Sequence, residues 1–120
     1  MVHIVDDDDS LRTALGGLLR SMDYRVSLHR SASEFLGSPR KLGPSCLLLD
    51  IRLPGLSGTE FQHRLRELGI DIPVIMMSGD ADPAAVSGAM GAGAAAFLHK
   101  PFREEALVDA VEGVFRRSGV

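Results

Sequence analysis

Five stretches of the sequence have the hydrophobic pattern of β-strands. Residues 46–49 and 73–77 are uninterrupted apolar runs, as expected for strands that a parallel sheet buries on both faces. Residues 2–5 and 94–98 are further short β-prone runs, whereas residues 24–28 alternate apolar and polar positions, as a more exposed strand does. These patterns predict a sheet in which the third and fourth strands are central.

Apolar residues at helical spacing separate the predicted strands. The five predicted helices cover residues 10–22, 31–36, 57–68 (beginning at Ser57 or Thr59), 84–90 and 107–115. In the first helix, Leu11, Leu15, Leu18 and Met22 form the expected apolar face, and Ser10 is the expected N-cap. The fourth helix consists mostly of small residues and includes a glycine, so we expect it to be the least rigid.

The fivefold alternation of strand and helix defines the expected fold class. It predicts a doubly wound α/β domain, (βα)5, in which a five-stranded parallel sheet has helices on both faces and right-handed crossovers. A chain of 120 residues is long enough for one such domain and its core. No linker, repeat or low-complexity segment divides it, so we expect residues 1–120 to form a single domain.

Polar side chains follow four of the five predicted strands. Asp6 and Asp7 follow the first strand, Asp50 the third, Ser78 the fourth and Lys100 the fifth. The carboxyl ends of parallel strands meet at one edge, where open α/β sheets bind ligands, so we expect these side chains to converge. Each has an ordinary explanation when taken singly, such as a turn cap or a solvated acidic run. Their combination at four strand ends indicates a functional site.

The residue types at this edge indicate a metal and a phosphoryl group. Converging carboxylates repel one another, and a bound cation relieves that repulsion. Oxygen ligands select a hard ion, and a few carboxylates with waters and a phosphoryl group are the usual surroundings of Mg²⁺. A carboxylate can also act as a nucleophile and form an aspartyl phosphate. The hydroxyl of Ser78 and the ammonium of Lys100 could then hold the phosphoryl oxygens.

Charge and composition narrow the expected partners. The chain has 13 basic and 16 acidic residues, a net charge of −3, which argues against a domain that itself binds nucleic acid. No apolar run approaches the roughly 20 residues of a membrane helix, and the first residues do not resemble a secretion signal. The single cysteine, Cys46, lies in an apolar run and is expected in the core. We therefore expect a cytoplasmic domain without direct membrane contact.

Four segments of the chain resemble the receiver domains of bacterial two-component response regulators, and the similarity extends over nearly the whole chain. The segments are Val5–Asp8, Leu49–Gly55, Met77–Gly79 and Lys100–Phe102. Residues 2–8 and 31–36 are most similar to the FixJ-type subgroup. The resemblance implies a flavodoxin-like, CheY-like fold with strand order 2-1-3-4-5.

The resemblance also implies a role for individual residues. Asp50 is the expected phosphoacceptor, and Ser78 and Lys100 are its expected catalytic partners. Ser78 and Phe97 match the two switch positions of the family. The peptide bond between Lys100 and Pro101 matches one that is cis in the family, a form available essentially only before proline.

The metal ligands that the resemblance implies are mostly carboxylates. Asp6, Asp7 and Asp50 are expected to bind Mg²⁺, for which Mn²⁺ can substitute, together with the backbone carbonyl of Arg52. With this ion bound, the family takes a phosphoryl group from a sensor histidine kinase. The expected protein is a phosphoryl acceptor with slow self-dephosphorylation and not a turnover enzyme.

Phosphorylation is expected to change the surface formed by the fourth helix, fifth strand and fifth helix, and to favour homodimers. FixJ-type regulators usually control transcription through a C-terminal DNA-binding domain. We expect any such output domain to lie outside these 120 residues.

Two alternative functions are compatible with parts of the pattern. Haloacid-dehalogenase-like phosphatases also use an aspartate nucleophile and Mg²⁺, but they need a second aspartate two residues later, where this chain has Arg52. A receiver-like module that binds protein without being phosphorylated is the other alternative. The presence of all five chemical groups argues against it.

Overall fold

The chain folds around a five-stranded parallel sheet in the computed structural model, which describes residues 1–38, 43–53, 55–79 and 83–119. The strands are β1 (Val2–Val5), β2 (Val26–His29), β3 (Cys46–Asp50), β4 (Arg52–Leu53), β5 (Leu56–Ser57), β6 (Val74–Ser78) and β7 (Ala96–His99). The helices are α1 (Asp9–Ser21), α2 (Ala32–Gly37), α3 (Gly58–Glu67), α4 (Pro83–Gly91) and α5 (Glu104–Gly119). β4 and β5 form a separate antiparallel hairpin.

The strand order confirms the predicted topology. The sheet has the order β2-β1-β3-β6-β7, and all neighbours are parallel. This is the 2-1-3-4-5 order once the hairpin is set aside. Val5 of β1 pairs with Leu49 of β3, so the residues that follow, Asp6 and Asp50, lie side by side at the carboxyl edge. The register of the sheet therefore brings together two of the predicted site residues.

Helices cover both faces of the sheet, as predicted. Ile4 and Leu48 belong to a core cluster shared with α1 and α5. Leu49, Phe35 and Phe61 belong to a second cluster, in which α2, α3 and α4 take part. The strand side chains alternate between these two clusters because neighbouring residues point to opposite faces.

Cys46 lies in the core, as predicted. Its side chain is fully buried, and burial raises the pKa of its thiol to about 12. The thiol is therefore protonated near neutral pH and is a poor nucleophile.

The predicted first helix differs from the observed one at both ends. α1 begins at Asp9, and Asp8 rather than Ser10 is its N-cap, with its side chain accepting a hydrogen bond from the backbone N–H of Leu11. Met22 was expected on the apolar face but lies just after the helix and is 40% exposed.

Pro54 belongs to the segment Leu49–Gly55 that resembles receiver domains, and it lies outside the described residues.

Two buried histidines connect β1 to β2. Nδ1 of His3 lies 3.2 Å from Nε2 of His29, and the two rings are stacked. Phe35 packs edge-on against both rings. Burial lowers the pKa of His29, against a smaller opposing effect of the Glu34 carboxylate. Burial therefore favours a neutral His29 in the folded protein.

Acidification from pH 7 to pH 5 is expected to lower the melting temperature, and His29→Gln should remove part of that loss. The pKa of His29 is below its ordinary value of 6.5 in the folded state, so the unfolded state takes up a proton first as the pH falls. The stabilisation is therefore present above about pH 6.5 and is lost below it. Melting curves at several pH values test this, with exposed His63→Gln as the control. An unchanged acid shift in His29→Gln would contradict it.

Candidate functional site

The carboxyl edge of the sheet contains the five polar residues that the sequence predicted there. Asp6 and Asp7 follow β1, Asp50 ends β3, Ser78 ends β6 and Lys100 follows β7. Asp6, Asp50 and Ser78 are buried, whereas Asp7 is exposed and Lys100 is half-buried. The site thus combines three buried side chains with one exposed carboxylate and the half-buried Lys100.

The three aspartates form one acidic cluster that Lys100 reaches. Each can present a carboxylate oxygen so that the three oxygens lie within 4.8 Å of one another. Nζ of Lys100 donates to Oδ2 of Asp6 at 3.0 Å and to Oδ2 of Asp50 at 2.9 Å. The ammonium therefore bridges the two buried carboxylates.

Local backbone turns fix the other oxygens of these carboxylates. Oδ1 of Asp6 accepts a hydrogen bond from the backbone N–H of Asp8 at 2.9 Å. Oδ1 of Asp50 accepts one from the backbone N–H of Arg52, also at 2.9 Å. Both are Asx turns, in which an aspartate bonds the backbone two residues further on. Each buried carboxylate is therefore held on both oxygens, by a backbone N–H and by the shared ammonium.

The start of α3 lies against the segment that carries Asp50. The backbone N–H of Gly58 donates to the carbonyl oxygen of Ile51 at 2.6 Å. A Cβ atom at position 58 would lie 2.8 Å from the Cα of Ile51 and 2.9 Å from the carbonyl oxygen of Asp50. Only glycine permits this approach without a shift of the backbone.

The donor set fits Mg²⁺. The carboxylates of Asp6, Asp7 and Asp50 are hard oxygen ligands of the kind this ion prefers. The cluster has three carboxylates, and the single ammonium of Lys100 forms ion pairs with two of them, Asp6 and Asp50. A divalent cation would neutralise the remaining charge. The Arg52 backbone lies at the cluster through its N–H, and its carbonyl remains a predicted ligand.

The two predicted switch residues lie on adjacent strands but are not directly opposite. Ser78 pairs with His99, and Phe97 lies two residues earlier on β7. The ring of Phe97 is half-buried, and its centroid is 5.0 Å from that of His99, which is exposed. The Lys100–Pro101 bond is cis, and the N–H of Lys100 donates to the carbonyl oxygen of Ser78 at 2.7 Å.

Sequence reasoning missed two residues that support the site, Arg12 and Gly58. Arg12 is buried on the face of α1 that also contains Leu15 and Leu19. Its spacing from these leucines, three and seven residues, was the available signal. For Gly58 the signal was a glycine directly after Ser57, the N-cap of α3, at a position that any helix-forming residue could otherwise occupy.

Comparison with known proteins agrees with the geometry. The model of the response regulator receiver domain family matches residues 2–112. Over 111 residues the chain is 44% identical to the response regulator protein TmoT of Ectopseudomonas mendocina, covering 92% of this chain and 50% of that protein. Over 117 residues it is 41% identical to the transcriptional regulatory protein FixJ of Azorhizobium caulinodans, covering 98% and 56%. The chain thus spans about half the length of these curated relatives.

Solved structures show the same similarity. The chain superposes on the crystal structure of FixJ-N with a TM-score of 0.88 at 34% identity, covering 99% of this chain and 95% of that one. It superposes on the response regulator StyR with a TM-score of 0.88 at 42% identity, covering 97% and 59%. Within the described residues, no helix combines the length and apolar character needed to cross a membrane.

Proposed function

This chain belongs to the response regulator receiver domain family, and on that premise we propose that it accepts a phosphoryl group on Asp50 in a Mg²⁺-dependent reaction. The family model and the response-regulator relatives make it a receiver domain of a two-component system, and its relatives include a transcriptional regulator. The observation that supports the proposed chemistry is the convergence of Asp6, Asp7 and Asp50 on a point that Lys100 also reaches.

Asp50 acts as the nucleophile in the proposed reaction. One of its carboxylate oxygens forms a bond to phosphorus while the bond from phosphorus to the donor breaks, and the donor atom keeps the electron pair. The donor atom is the ring nitrogen of a phosphohistidine or an oxygen of an acyl phosphate. Bound Mg²⁺ would neutralise charge on the phosphoryl oxygens. Lys100, already bonded to Asp50, and the hydroxyl of Ser78 then donate to those oxygens.

We propose that the phosphoryl group leaves Asp50 by hydrolysis and that the chain does not turn over free phosphate esters. A phosphatase of the haloacid-dehalogenase type needs an acid/base aspartate two residues after its nucleophile. Arg52 occupies that position, and its contact with Asp50 is a backbone N–H that carries no transferable proton at neutral pH. Steady hydrolysis of a generic phosphatase substrate would contradict this part of the proposal.

Treatment with a small acyl phosphate is expected to add one phosphoryl group to the wild-type chain when Mg²⁺ is present. Intact-mass spectrometry measures the addition, and omission of Mg²⁺ or addition of a chelator should abolish it. Asp50→Asn should show no added mass because the amide is not a nucleophile. The same treatment with Mn²⁺ in place of Mg²⁺ should also give the added mass.

Exposed Asp109→Asn on α5 is the matched control, since it removes one carboxylate away from the carboxyl edge. It should be phosphorylated as the wild type is. An unshifted wild-type mass with Mg²⁺ present, or an undiminished shift in Asp50→Asn, would overturn the proposed function.

The proposed partner is a sensor histidine kinase in the cytoplasm, which would supply the phosphoryl group. The relatives named above are about twice as long as this chain. We propose that the response to phosphorylation depends on a segment of the kind that these relatives contain besides the receiver. We propose that the receiver controls transcription through such a segment and does not itself contact DNA. Its net charge of −3 supports the absence of direct DNA contact.

A further inference from the structure

Arg12 is a buried charged residue beside the acidic cluster but not part of it. The residue is 7% exposed and lies on the inward face of α1 with Leu15 and Leu19. A buried guanidinium is unfavourable unless it is paired and hydrogen-bonded. The contacts of Arg12 therefore show what keeps it there.

The guanidinium of Arg12 joins the start of α1 to the end of β1. Nη1 donates to the backbone carbonyl oxygen of Asp6 at 2.6 Å, and Nη2 donates to the carboxylate of Asp9. The hydrogen bond and charge of Arg12 lower the pKa of Asp9, so the two form an ion pair at neutral pH. The net charge of this pair is zero.

The bond to the carbonyl of Asp6 acts on the turn that presents the acidic pair. That carbonyl belongs to the planar peptide group between Asp6 and Asp7. A hydrogen bond to it therefore fixes the orientation of the backbone that leads into Asp7. The N–H of Asp8 donates to Oδ1 of Asp6, and the N–H of Arg12 donates to the carbonyl of Asp8 at 2.9 Å. The peptide group between residues 6 and 7 is thus held by Arg12 through its carbonyl, and the one between residues 7 and 8 is held by Asp6 through its N–H.

We propose that Arg12 is a positioning residue for divalent-cation binding, acting through the Asp6–Asp7 peptide group. This inference rests on the proposed function, because it concerns the same Mg²⁺ site. Groups that orient the ligands of a metal commonly change its affinity by 10–100-fold when removed.

The sign of the effect separates positioning from simple electrostatics. A positive charge near a cation site opposes cation binding, so removal of the Arg12 charge should tighten Mg²⁺ binding if charge alone mattered. Loss of a fixed carboxylate geometry has the opposite effect and weakens binding. Positioning therefore predicts weaker binding in Arg12→Gln, against the Coulomb effect.

Arg12→Gln is expected to weaken Mg²⁺ binding roughly tenfold in a calorimetric titration. The double variant Arg12→Gln with Asp9→Asn removes both charges of the pair and should show a similar loss, because the geometry is lost in both. Arg12→Lys keeps the charge and one donor and should bind with intermediate affinity. Arg20→Gln is the matched control, since Arg20 is exposed and about 12 Å further along α1, and it should bind as the wild type does.

A second readout distinguishes positioning from a general loss of structure. At saturating Mg²⁺, the rate of phosphorylation by an acyl phosphate should return to within about twofold of wild type in Arg12→Lys, whereas at low Mg²⁺ it should be reduced. Equal Mg²⁺ affinity in wild type, Arg12→Gln and Arg12→Lys, or tighter binding in Arg12→Gln, would overturn the proposed role of Arg12 and leave the proposed function standing. Absence of Mg²⁺ binding in the wild type would overturn the proposed function and this inference with it.

Discussion

Lys100→Met is expected to lower the melting temperature of the metal-free protein by about 8 °C, and saturating Mg²⁺ should restore most of the loss. The ammonium of Lys100 bridges Asp6 and Asp50, and its removal leaves three carboxylates without that cation. Loss of one partner of a buried ion pair costs about 3–5 kcal/mol. Because Lys100 is partly exposed, about 2 kcal/mol is the better figure here, and each kcal/mol shifts the midpoint by about 4 °C.

The pH dependence of this effect follows from the titration of Lys100. Burial alone lowers its pKa, but the hydrogen bonds and charges of Asp50 and Asp6 outweigh burial and raise the pKa above 10.5. A raised folded-state pKa means that the stabilisation is complete below the ordinary value and is lost as the pH rises through the folded-state value. The difference between wild type and Lys100→Met should therefore be constant near neutral pH and should narrow only above about pH 10.5.

A double-mutant cycle provides the control. Asp50→Asn leaves Lys100 paired with Asp6 and removes one of the three carboxylates, so we expect it to raise the metal-free midpoint and to weaken the effect of Mg²⁺. In that background, Lys100→Met should cost much less than it does in the wild type. An equal drop in melting temperature in both backgrounds, or a drop in Lys100→Met that Mg²⁺ does not reduce, would contradict this explanation. Either result would show that the bridging ammonium does not offset the repulsion among the carboxylates.

The position of the site could be predicted because it depends on strand ends. Residue type and strand boundary are both visible in a sequence, and a parallel sheet collects its carboxyl ends at one edge. Asp50 at the end of the run 46–49 and Ser78 at the end of the run 73–77 therefore converge without knowledge of any loop. The register between β1 and β3 then places Asp6 beside Asp50.

The contacts that support the site could not be predicted in the same way. Apolar periodicity locates a helix face only to within about one residue, or 100° of rotation. The first helix was thus assigned a face that includes Met22, whereas the buried face includes Arg12. A charged residue is read as exposed by default, and only the fold shows that the carbonyl of Asp6 and the carboxylate of Asp9 lie within its reach.

A phosphoryl mimic is expected to favour dimers that form through the surface of α4, β7 and α5. Phosphorylation of Asp50 would attract the hydroxyl of Ser78 by a charge-assisted hydrogen bond. Movement of Ser78 would open space near Phe97, which is half-buried and rests against exposed His99. Turning that ring inward would bury more apolar area at roughly 25 cal/mol per Å². Such a change selects between two discrete arrangements of the surface.

The structure of α4 indicates which part of the surface should move. Among the described side chains of α4, Ala89 is the one that is fully buried, and Met90 is 45% exposed. The carbonyl oxygen of Ala92, just after the helix, accepts hydrogen bonds from Nε2 of Gln62 at 3.0 Å and Nη2 of Arg66 at 2.7 Å. The C-terminal end of α4 is thus attached to α3, so we expect the larger change at its N-terminal end.

Light scattering with and without beryllofluoride, in the presence of Mg²⁺, measures this switch. In the wild type the mimic should raise the average mass toward twice the 12.9 kDa of one chain. Ser78→Ala should respond much less, while Ser10→Ala, which removes an exposed hydroxyl on α1, should respond fully. Hydrogen exchange should change in residues 83–98, most at residues 83–87. If the mimic binds and neither mass nor exchange changes, or if Ser78→Ala responds as the wild type does, Ser78 does not relay the signal to this surface.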